Sequence, residues 1–297
     1  MATPPPPAGP RSGALPQANP EAQQRARAFL ARVQMMERIK NNLDRIDRKI
    51  VVMSGKGGVG KTTVCVNLAA TFARAGKRVG VLDADLTNPN VPKMLGVEGA
   101  RVASDGERLV PVAAHGMKVV STGFLAQDPN KPIIWRGPIK IGVLQQFLGD
   151  VAWGDLDFLF FDLPPGTSDE PLSIAQEIPQ ADGAVVVTTP QEVSVLDIVK
   201  SIGFAKALNL RVLGIVENMS GFVCPHCQQE TPVFAKGGGE RAARETGVPF
   251  LGSIPLHPPI ARHGDEGVPF VLGDEDSAAA KAFQQVVAEL EKRLPAR

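Results

Sequence analysis

The stretch VVMSGKGGVGKTT, residues 51–63, decides the fold. It reads as the end of a buried strand, a glycine-rich loop and the first turn of a helix. Gly55, Gly60, Lys61 and Thr62 have the spacing G-x-x-x-x-G-K-[ST] of a phosphate-binding P-loop. Small residues let successive backbone N–H groups turn inward around a phosphate chain. The helix that follows points its positive dipole end at that charge. In this pattern Lys61 reaches the terminal phosphates and the Thr62 hydroxyl ligates Mg²⁺. Gly55, Lys56, Gly57, Gly58, Val59, Gly60, Lys61, Thr62 and Thr63 are therefore the expected nucleotide-binding residues. Ile50, Val51, Val52 and Met53 supply the apolar strand before the loop. Val64, Val66, Leu68, Ala69 and Phe72 supply the helical pattern after it. A second lysine, Lys56, lies inside the loop, where an ordinary P-loop has no need of one.

Outward from the loop, short apolar runs alternate with helical stretches. Strands are expected at 50–53, 79–82, 117–120, 158–161, 183–187, 212–216 and 250–252. Helices are expected at 62–75, 139–148, 170–176, 194–208, 239–246 and 277–294. Strands that are apolar throughout suit a sheet covered on both faces. The β-α order gives an α/β fold: a doubly wound, mainly parallel sheet. Ligands in such sheets bind at the carboxyl ends of the strands. No internal repeat is visible. Residues 1–20 read as a disordered Pro-rich tail, 21–48 as a helix and 49–297 as the ATPase domain. In the helix, Phe29, Val33, Met36, Ile39, Leu43 and Ile46 form a stripe at helical spacing. The stripe suits packing on the chain's own domain, with docking to a partner or a second copy as the alternative.

Composition narrows the class. The 297 residues are 43% hydrophobic and 21% charged, an ordinary globular balance. A formal net charge of +1 gives no reason to expect a nucleic-acid partner. No apolar run approaches the roughly 20 residues of a membrane span, and no signal-peptide core is visible. Three cysteines are too few for a disulfide framework, so the expected location is cytoplasmic with thiols available to metals.

Carboxylates gather at other strand ends. The second strand runs into VLDADLTNPN, which sets Asp83 and Asp85 at its carboxyl end. The fourth runs into FLFFDLPPGTSDE, where Asp162 follows four apolar residues as a Walker-B carboxylate does, holding Mg²⁺ or its bound water. Pro164, Pro165 and Gly166 then make a stiff turn placed to sense a γ-phosphate. Asn218, in GIVENMS, is a candidate for the adenine edge.

The segment GFVCPHCQQETPVF places Cys224 and Cys227 in a C-x-x-C, while Cys65, in the helix after the P-loop, reads as a small core residue. A structural zinc site wants four ligands, and no second C-x-x-C exists here. A thioredoxin-like pair belongs at a helix start in a different fold. Shared ligation is the third use: two chains giving two thiolates each, which suits a 4Fe–4S cluster or a zinc ion. It is favoured because one chain cannot complete the shell.

Together these residues resemble the Mrp/ApbC group of iron–sulfur cluster carrier ATPases, relatives of nitrogenase iron protein and of MinD and ParA. The likeness runs from about Lys49 to Val271. SGKGGVGKTT is similar to the deviant Walker A of the wider (SIMIBI) class. VLDADLTNPNVPKMLG, WRGP at 135–138, FDLPPGTSDE, TTPQEVSVLD, ENMSGFVCPHC and GGGERAARETGVPFLGSIPL resemble the group's own motifs. The resemblance implies a homodimeric ATPase that carries a labile 4Fe–4S cluster on Cys224 and Cys227 at the dimer interface, takes it from a donor and delivers it to apoproteins. It implies that Lys56 crosses to the partner's phosphates and stabilises the transferring phosphoryl group. Lys61 would hold the β- and γ-phosphates, and Asp85 would position the attacking water. Thr62 would hold Mg²⁺ with Asp83 and Asp162 in support, and Asn218 would read adenine. The chain departs from the group at His257, where Asp is frequent, at Cys65, where Ala is usual, and in lacking the small extra N-terminal domain of many bacterial members. Two other readings stand beside this one: a ParA/MinD-like positioning ATPase, and a zinc-clasped, nucleotide-gated dimer scaffold. The final helix, mixed in charge around Phe283, Val286, Val287 and Leu290, reads as a packing helix and not a membrane anchor.

Overall fold

The computed structural model describes residues 20–125, 137–224, 227, 229–231 and 233–295. The strands of the main sheet are β1 (Ile46–Met53), β2 (Val79–Asp83), β3 (Val112–Ala114), β4 (Met117–Ser121), β5 (Leu156–Asp162), β6 (Gly183–Thr188), β7 (Val212–Glu217) and β8 (Phe250–Ser253). Their order is β8-β7-β6-β1-β5-β2-β4-β3. Every neighbouring pair is parallel except β3 with β4. The longer helices are α1 (Pro20–Leu43), α2 (Lys61–Arg74), α3 (Gly137–Gly149), α4 (Asp169–Gln176), α5 (Glu192–Ala207), α6 (Gly238–Thr246), α7 (Pro258–Glu266) and α8 (Ala278–Arg293).

Alternation along the strands explains the two core layers. Ile50 and Val52 of β1 face one layer with Val81, Phe160 and Val185 of the neighbouring strands. Val64, Leu68 and Phe72 of α2 and Phe283, Val286 and Leu290 of α8 cover it. Val51 and Met53 face the other layer, closed by residues of α1, α3, α4, α5 and α6. Phe72 packs on Phe158 with ring centroids 4.1 Å apart. Burial of such a side chain contributes about 1.5–3 kcal/mol. The apolar face of α8 lies in the core, as its sequence implied, and Ser277 Oγ caps the helix by accepting from the Ala280 N–H at 3.1 Å. Among the described residues no helix is long and apolar enough to cross a membrane.

Chain order sets the place of the site. From β1 the chain crosses through α2 to β2, leaving room for β5 between them. Strands β6, β7 and β8 are then added on the other side of β1. The sheet therefore changes direction at β1, and a crevice opens at its carboxyl end, which is where the glycine loop emerges.

The helix expected over 21–48 needs correction. It ends at Leu43, and β1 begins at Ile46, already paired with Leu156 of β5. The polar run Asp47-Arg48-Lys49 resembles helix surface in sequence, but tertiary partners hold it extended. Asp182 accepts from the Lys49 N–H at 2.8 Å and from the Arg48 guanidinium at 3.2 Å. Lys49 Nζ donates back to the Leu43 carbonyl at 3.3 Å, meeting an orphan acceptor at the helix end. The apolar stripe divides accordingly. Ile39 and Leu43 are buried against the core, whereas Phe29 is 68% exposed.

Each of the seven expected strands is present. The short edge strand β3, the ribbon pairing Phe222–Val223 with Glu230–Thr231, and helix α7 went unread in the sequence.

Candidate functional site

The loop after β1 is shaped by glycine. Gly58 and Gly60 have φ of 80° and 79°, a left-handed conformation that a Cβ disfavours. Gly60 caps α2. A Cβ on Gly55 would stand 2.5 Å from the Asp197 carbonyl, so only glycine lets α5 press this closely on the loop.

The loop floors a cleft of about 410 Å³. Lys56, Gly57, Gly58, Val59, Gly60, Lys61, Thr62 and Thr63 line it, while Gly55 sits outside it against α5. Asp85, Asn90, Lys93 and Met94 form one wall, and Ile260, Ala261, Gly264 and Asp265 of α7 form the other. Pro165, from the turn after β5, closes the rim. The α7 wall was missed in the sequence, although Pro258-Pro259 at the first helical positions is a start signal.

At the floor, Lys61 Nζ donates to Asp162 Oδ1 at 2.6 Å and Thr62 Oγ1 donates to Asp162 Oδ2 at 2.7 Å. The pair is buried, 6% exposed at Lys61 and 1% at Asp162. Burial lowers the Lys61 pKa, but the charge and hydrogen bond of Asp162 outweigh it and raise the ammonium above its ordinary range. A hydroxyl and a carboxylate oxygen side by side are the ligands a hard cation takes, so Thr62 and Asp162 fit Mg²⁺.

Asp83 lies one layer behind, beside Asp162 in the β2–β5 register, and does not line the cleft. Oδ1 accepts from the Asp85 N–H at 3.2 Å. Oδ2 accepts from the Val91 N–H at 3.2 Å and from Ser121 Oγ at 3.1 Å. Complete burial and then the Asp162 charge push its pKa well above the usual carboxylate range. Asp83 thus stands one layer behind Thr62 and Asp162, the side of the floor from which the sequence expected it to support a metal shell. Asp85 does line the cleft. Its Oδ1 accepts from the N–H groups of Thr87 at 3.3 Å and Asn88 at 3.0 Å, and burial raises its pKa.

Asn218 lies beneath the loop. Its Nδ2 donates to the Val59 carbonyl at 2.9 Å beneath Gly60, and it is absent from the cleft lining. His257 precedes α7 outside the lining, its ring edge-on to Phe270. Cys65 is wholly buried in α2, with its thiol pKa pushed well up by burial. Lys56 lines the cleft, and among the described residues its ammonium has no ion-pair partner.

Cys224 is half-buried and Cys227 exposed, in the hairpin closed by the 222–223 and 230–231 ribbon. The Cys224 N–H donates to the Gln229 carbonyl at 3.0 Å. The intervening Pro225 and His226 lie outside the described residues, as do Trp135 and Arg136 of the WRGP motif. At the root of the hairpin, the buried Glu217 accepts from Ser220 Oγ at 2.5 Å and from the N–H groups of Gly237 at 3.0 Å and Gly239 at 2.6 Å. One carboxylate thus fastens both ends of the segment. Among the described residues, no three His, Cys, Asp or Glu side chains gather as a metal site.

A glycine loop at the switch point of a parallel sheet, with a lysine and a threonine joined to a strand-end aspartate beneath it, defines a P-loop NTPase. The chain belongs to the ParA family described as the NUBPL iron-transfer P-loop NTPases, whose model matches residues 45–291. The iron-sulfur cluster carrier protein of Methanocaldococcus jannaschii is 51% identical to it over 258 residues, covering 86% of this chain and 88% of that one. The human cytosolic Fe-S cluster assembly factor NUBP2 is 45% identical over 260 residues, covering 86% and 96%. Among solved structures, a nucleotide-binding protein from Archaeoglobus fulgidus in complex with ADP superposes with a TM-score of 0.73 at 40% identity, covering 84% of this chain and 96% of that one. The cell division ATPase MinD of Pyrococcus furiosus does so with a TM-score of 0.59 at 27% identity, covering 83% and 99%. The family expected from the motifs is the family found.

Proposed function

We propose that this chain is an ATP-binding and ATP-hydrolysing carrier that holds a 4Fe–4S cluster between two copies of itself and passes it to apoproteins in the cytoplasm. The observation that carries this reading is the hairpin: the thiols of Cys224 and Cys227 lie three positions apart on a loop whose root is fastened by Glu217. A 4Fe–4S cluster takes four thiolates. Cys224 and Cys227 of two facing copies supply them.

The cleft supports the same pairing. Lys56 has a charge to offer and no ion-pair partner within the described chain. We assign it to the triphosphate bound by the facing copy, where it stabilises charge on the transferring phosphoryl group. Helix α5, which presses on Gly55 beside it, exposes Val193 (66%), Leu196 (67%) and Val199 (50%) at i, i+3 and i+6. A ridge of this kind suits an interface core. Lys61 holds the β- and γ-phosphates, exchanging Asp162 for them. Thr62, with Asp162 behind it, holds Mg²⁺, which neutralises phosphate charge when bound. Asp85 positions the attacking water. Nucleotide binding draws the copies together through Lys56, and hydrolysis loosens them and exposes the cluster.

Anaerobic reconstitution of the full chain tests this reading. The wild type is expected to take up iron and acid-labile sulfide with a dimer's mass and to load an apoprotein in an ATP-dependent way. Leu196→Asp is expected to be monomeric and unable to retain the cluster. Zinc in place of iron and sulfide, or a cluster retained by a strict monomer, overturns the reading.

A further inference from the structure

Three side chains from three separate elements converge just outside the cleft, and no role given so far uses them. Thr87 belongs to the loop after β2, Lys140 to the first turn of α3 and Glu170 to the first turn of α4. Lys140 Nζ donates to Glu170 Oε1 at 2.6 Å and to Thr87 Oγ1 at 2.8 Å, and Thr87 Oγ1 donates to Glu170 Oε1 at 3.1 Å. The hydroxyl thus uses its proton and a lone pair at once. Lys140 is only 17% exposed and Glu170 35%, so the pair is partly shielded from water. An exposed pair contributes little because solvent screens it and two long side chains lose rotamer freedom. Here a second link, Gln145 Nε2 to Glu177 Oε2 at 2.8 Å, already holds α3 beside α4. The entropy cost of bringing Lys140 to Glu170 is thereby lowered.

The consequence lies two residues away. The Thr87 and Asn88 N–H groups are the donors that orient Asp85 Oδ1. Both bonds fall on the same oxygen, which leaves Oδ2 for the cleft. The backbone at residue 87 can aim the carboxylate only if residue 87 itself is fixed, and its loop is otherwise exposed there. We propose that Lys140 and Glu170 clamp the Thr87 hydroxyl so that Asp85 is held in register with the attacking water, making all three positioning residues for hydrolysis. The clamp ties the loop that carries Asp85 to the helix that follows the Asp162 turn. The two loops flanking the γ-phosphate then move as one body.

This inference rests on the role proposed for Asp85, and the experiment separates the two. Steady-state ATP hydrolysis, ATP binding by calorimetry and thermal melting are measured on the full chain for Thr87→Val, Lys140→Met, their double variant, the conservative Thr87→Ser and Lys140→Arg, and Asp85→Asn. Misplacing a catalytic group by about 1 Å can cost up to about a hundredfold in rate. Thr87→Val and Lys140→Met are expected to lower kcat by roughly tenfold or more with the ATP Kd held within about twofold. The double variant is expected to fall no further than the worse single one, because the two residues act as one unit. Thr87→Ser and Lys140→Arg are expected to recover most of the rate. Full kcat in Thr87→Val and Lys140→Met beside an inactive Asp85→Asn overturns the clamp and leaves the ATPase reading standing. Parallel losses of kcat, ATP binding and melting temperature, unrescued by Thr87→Ser, also overturn it, because the residues then hold up the fold and nothing finer. Wild-type hydrolysis by Asp85→Asn removes the reading of Asp85 and the clamp with it.

Discussion

At the floor of the cleft, Asp162 accepts from Lys61 and Thr62, and Asp83 behind it accepts from three further donors. At the hairpin, Cys224 and Cys227 stand beyond a root held by the Glu217 carboxylate and by the backbone bonds of Ser220 N–H to the Ile254 carbonyl and of Leu256 N–H to the Gly221 carbonyl. The floor's buried charges have partners within this chain, whereas the four-thiolate cargo proposed for the hairpin would need ligands from outside it. The contrast separates what can be held before any partner arrives from what waits for assembly. A nucleotide floor must be preorganised, because its charges are buried and unpaired ones are costly. A cargo site of the kind proposed, opening to release a cluster, is better left half on each copy.

The largest expected effect is at the hairpin. Replacing Cys224 and Cys227 by Ala together should reduce cluster occupancy after anaerobic reconstitution to none, read as iron, sulfide and visible absorbance. The ATP Kd should stay within about twofold, since Glu217 and the backbone bonds at Ser220 and Leu256, and not the thiols, fasten the loop. A coupled loss of ATP affinity would break the contrast by making the two regions one unit.

Next is the floor. Lys61→Ala leaves Asp162 buried with only the Thr62 hydroxyl, and breaking a buried pair from one side costs about 3–5 kcal/mol. Urea denaturation without nucleotide should show that loss, and calorimetry should show ATP binding gone. A change under about 1 kcal/mol would mean that water reaches Asp162 and that the floor is not the dry, paired site described.

Legibility in the sequence follows the same division. The strands and the P-loop could be read because apolar runs, glycines and the G-K-T spacing are local signals. The boundary of α1 could not, because Asp47, Arg48 and Lys49 are drawn into a strand by Asp182, distant in sequence. The Thr87–Lys140–Glu170 cluster had no local trace, its members standing 53 and 30 residues apart. Asp83 and Asp85 look equivalent in DAD, and only the three donors around Asp83 show which one lies behind the floor. C-x-x-C disclosed the thiols, but the clip at Glu217 comes from folding the far end of the loop back onto β7.

That clip gives a smaller effect confined to the hairpin. Glu217→Gln turns one acceptor into a donor facing an N–H or hydroxyl, leaving a buried group unsatisfied at a cost of about 1–3 kcal/mol. Hydrogen exchange of the Gly237 and Gly239 amides should accelerate and the cluster should be lost faster on dilution. The P-loop amides and the ATP Kd should not change. Equal acceleration of P-loop exchange would show that the hairpin root is part of the nucleotide floor.

The smallest effect tests where the two regions meet, at Asn218 between β7 and the hairpin. The sequence suggested that its carboxamide reads adenine, whereas the structure has Nδ2 donating to the Val59 carbonyl under the left-handed Gly60. These roles give different signatures. As a loop brace, Asn218→Ala removes one buried hydrogen bond, about 1 kcal/mol. ATP should then bind roughly fivefold more weakly, because the phosphate cradle is less preorganised. GTP should weaken by the same factor, since both nucleotides present the same phosphates to the loop. As a base reader, Asn218 would matter for ATP alone, and a site that hydrogen-bonds one base discriminates because its polar groups are left unpaired by the other. Calorimetry with ATP and GTP on the wild type and Asn218→Ala decides the matter. An unchanged ATP-to-GTP ratio assigns Asn218 to the P-loop. A ratio that collapses returns it to the adenine edge and implies that the carboxamide leaves Val59 when nucleotide enters.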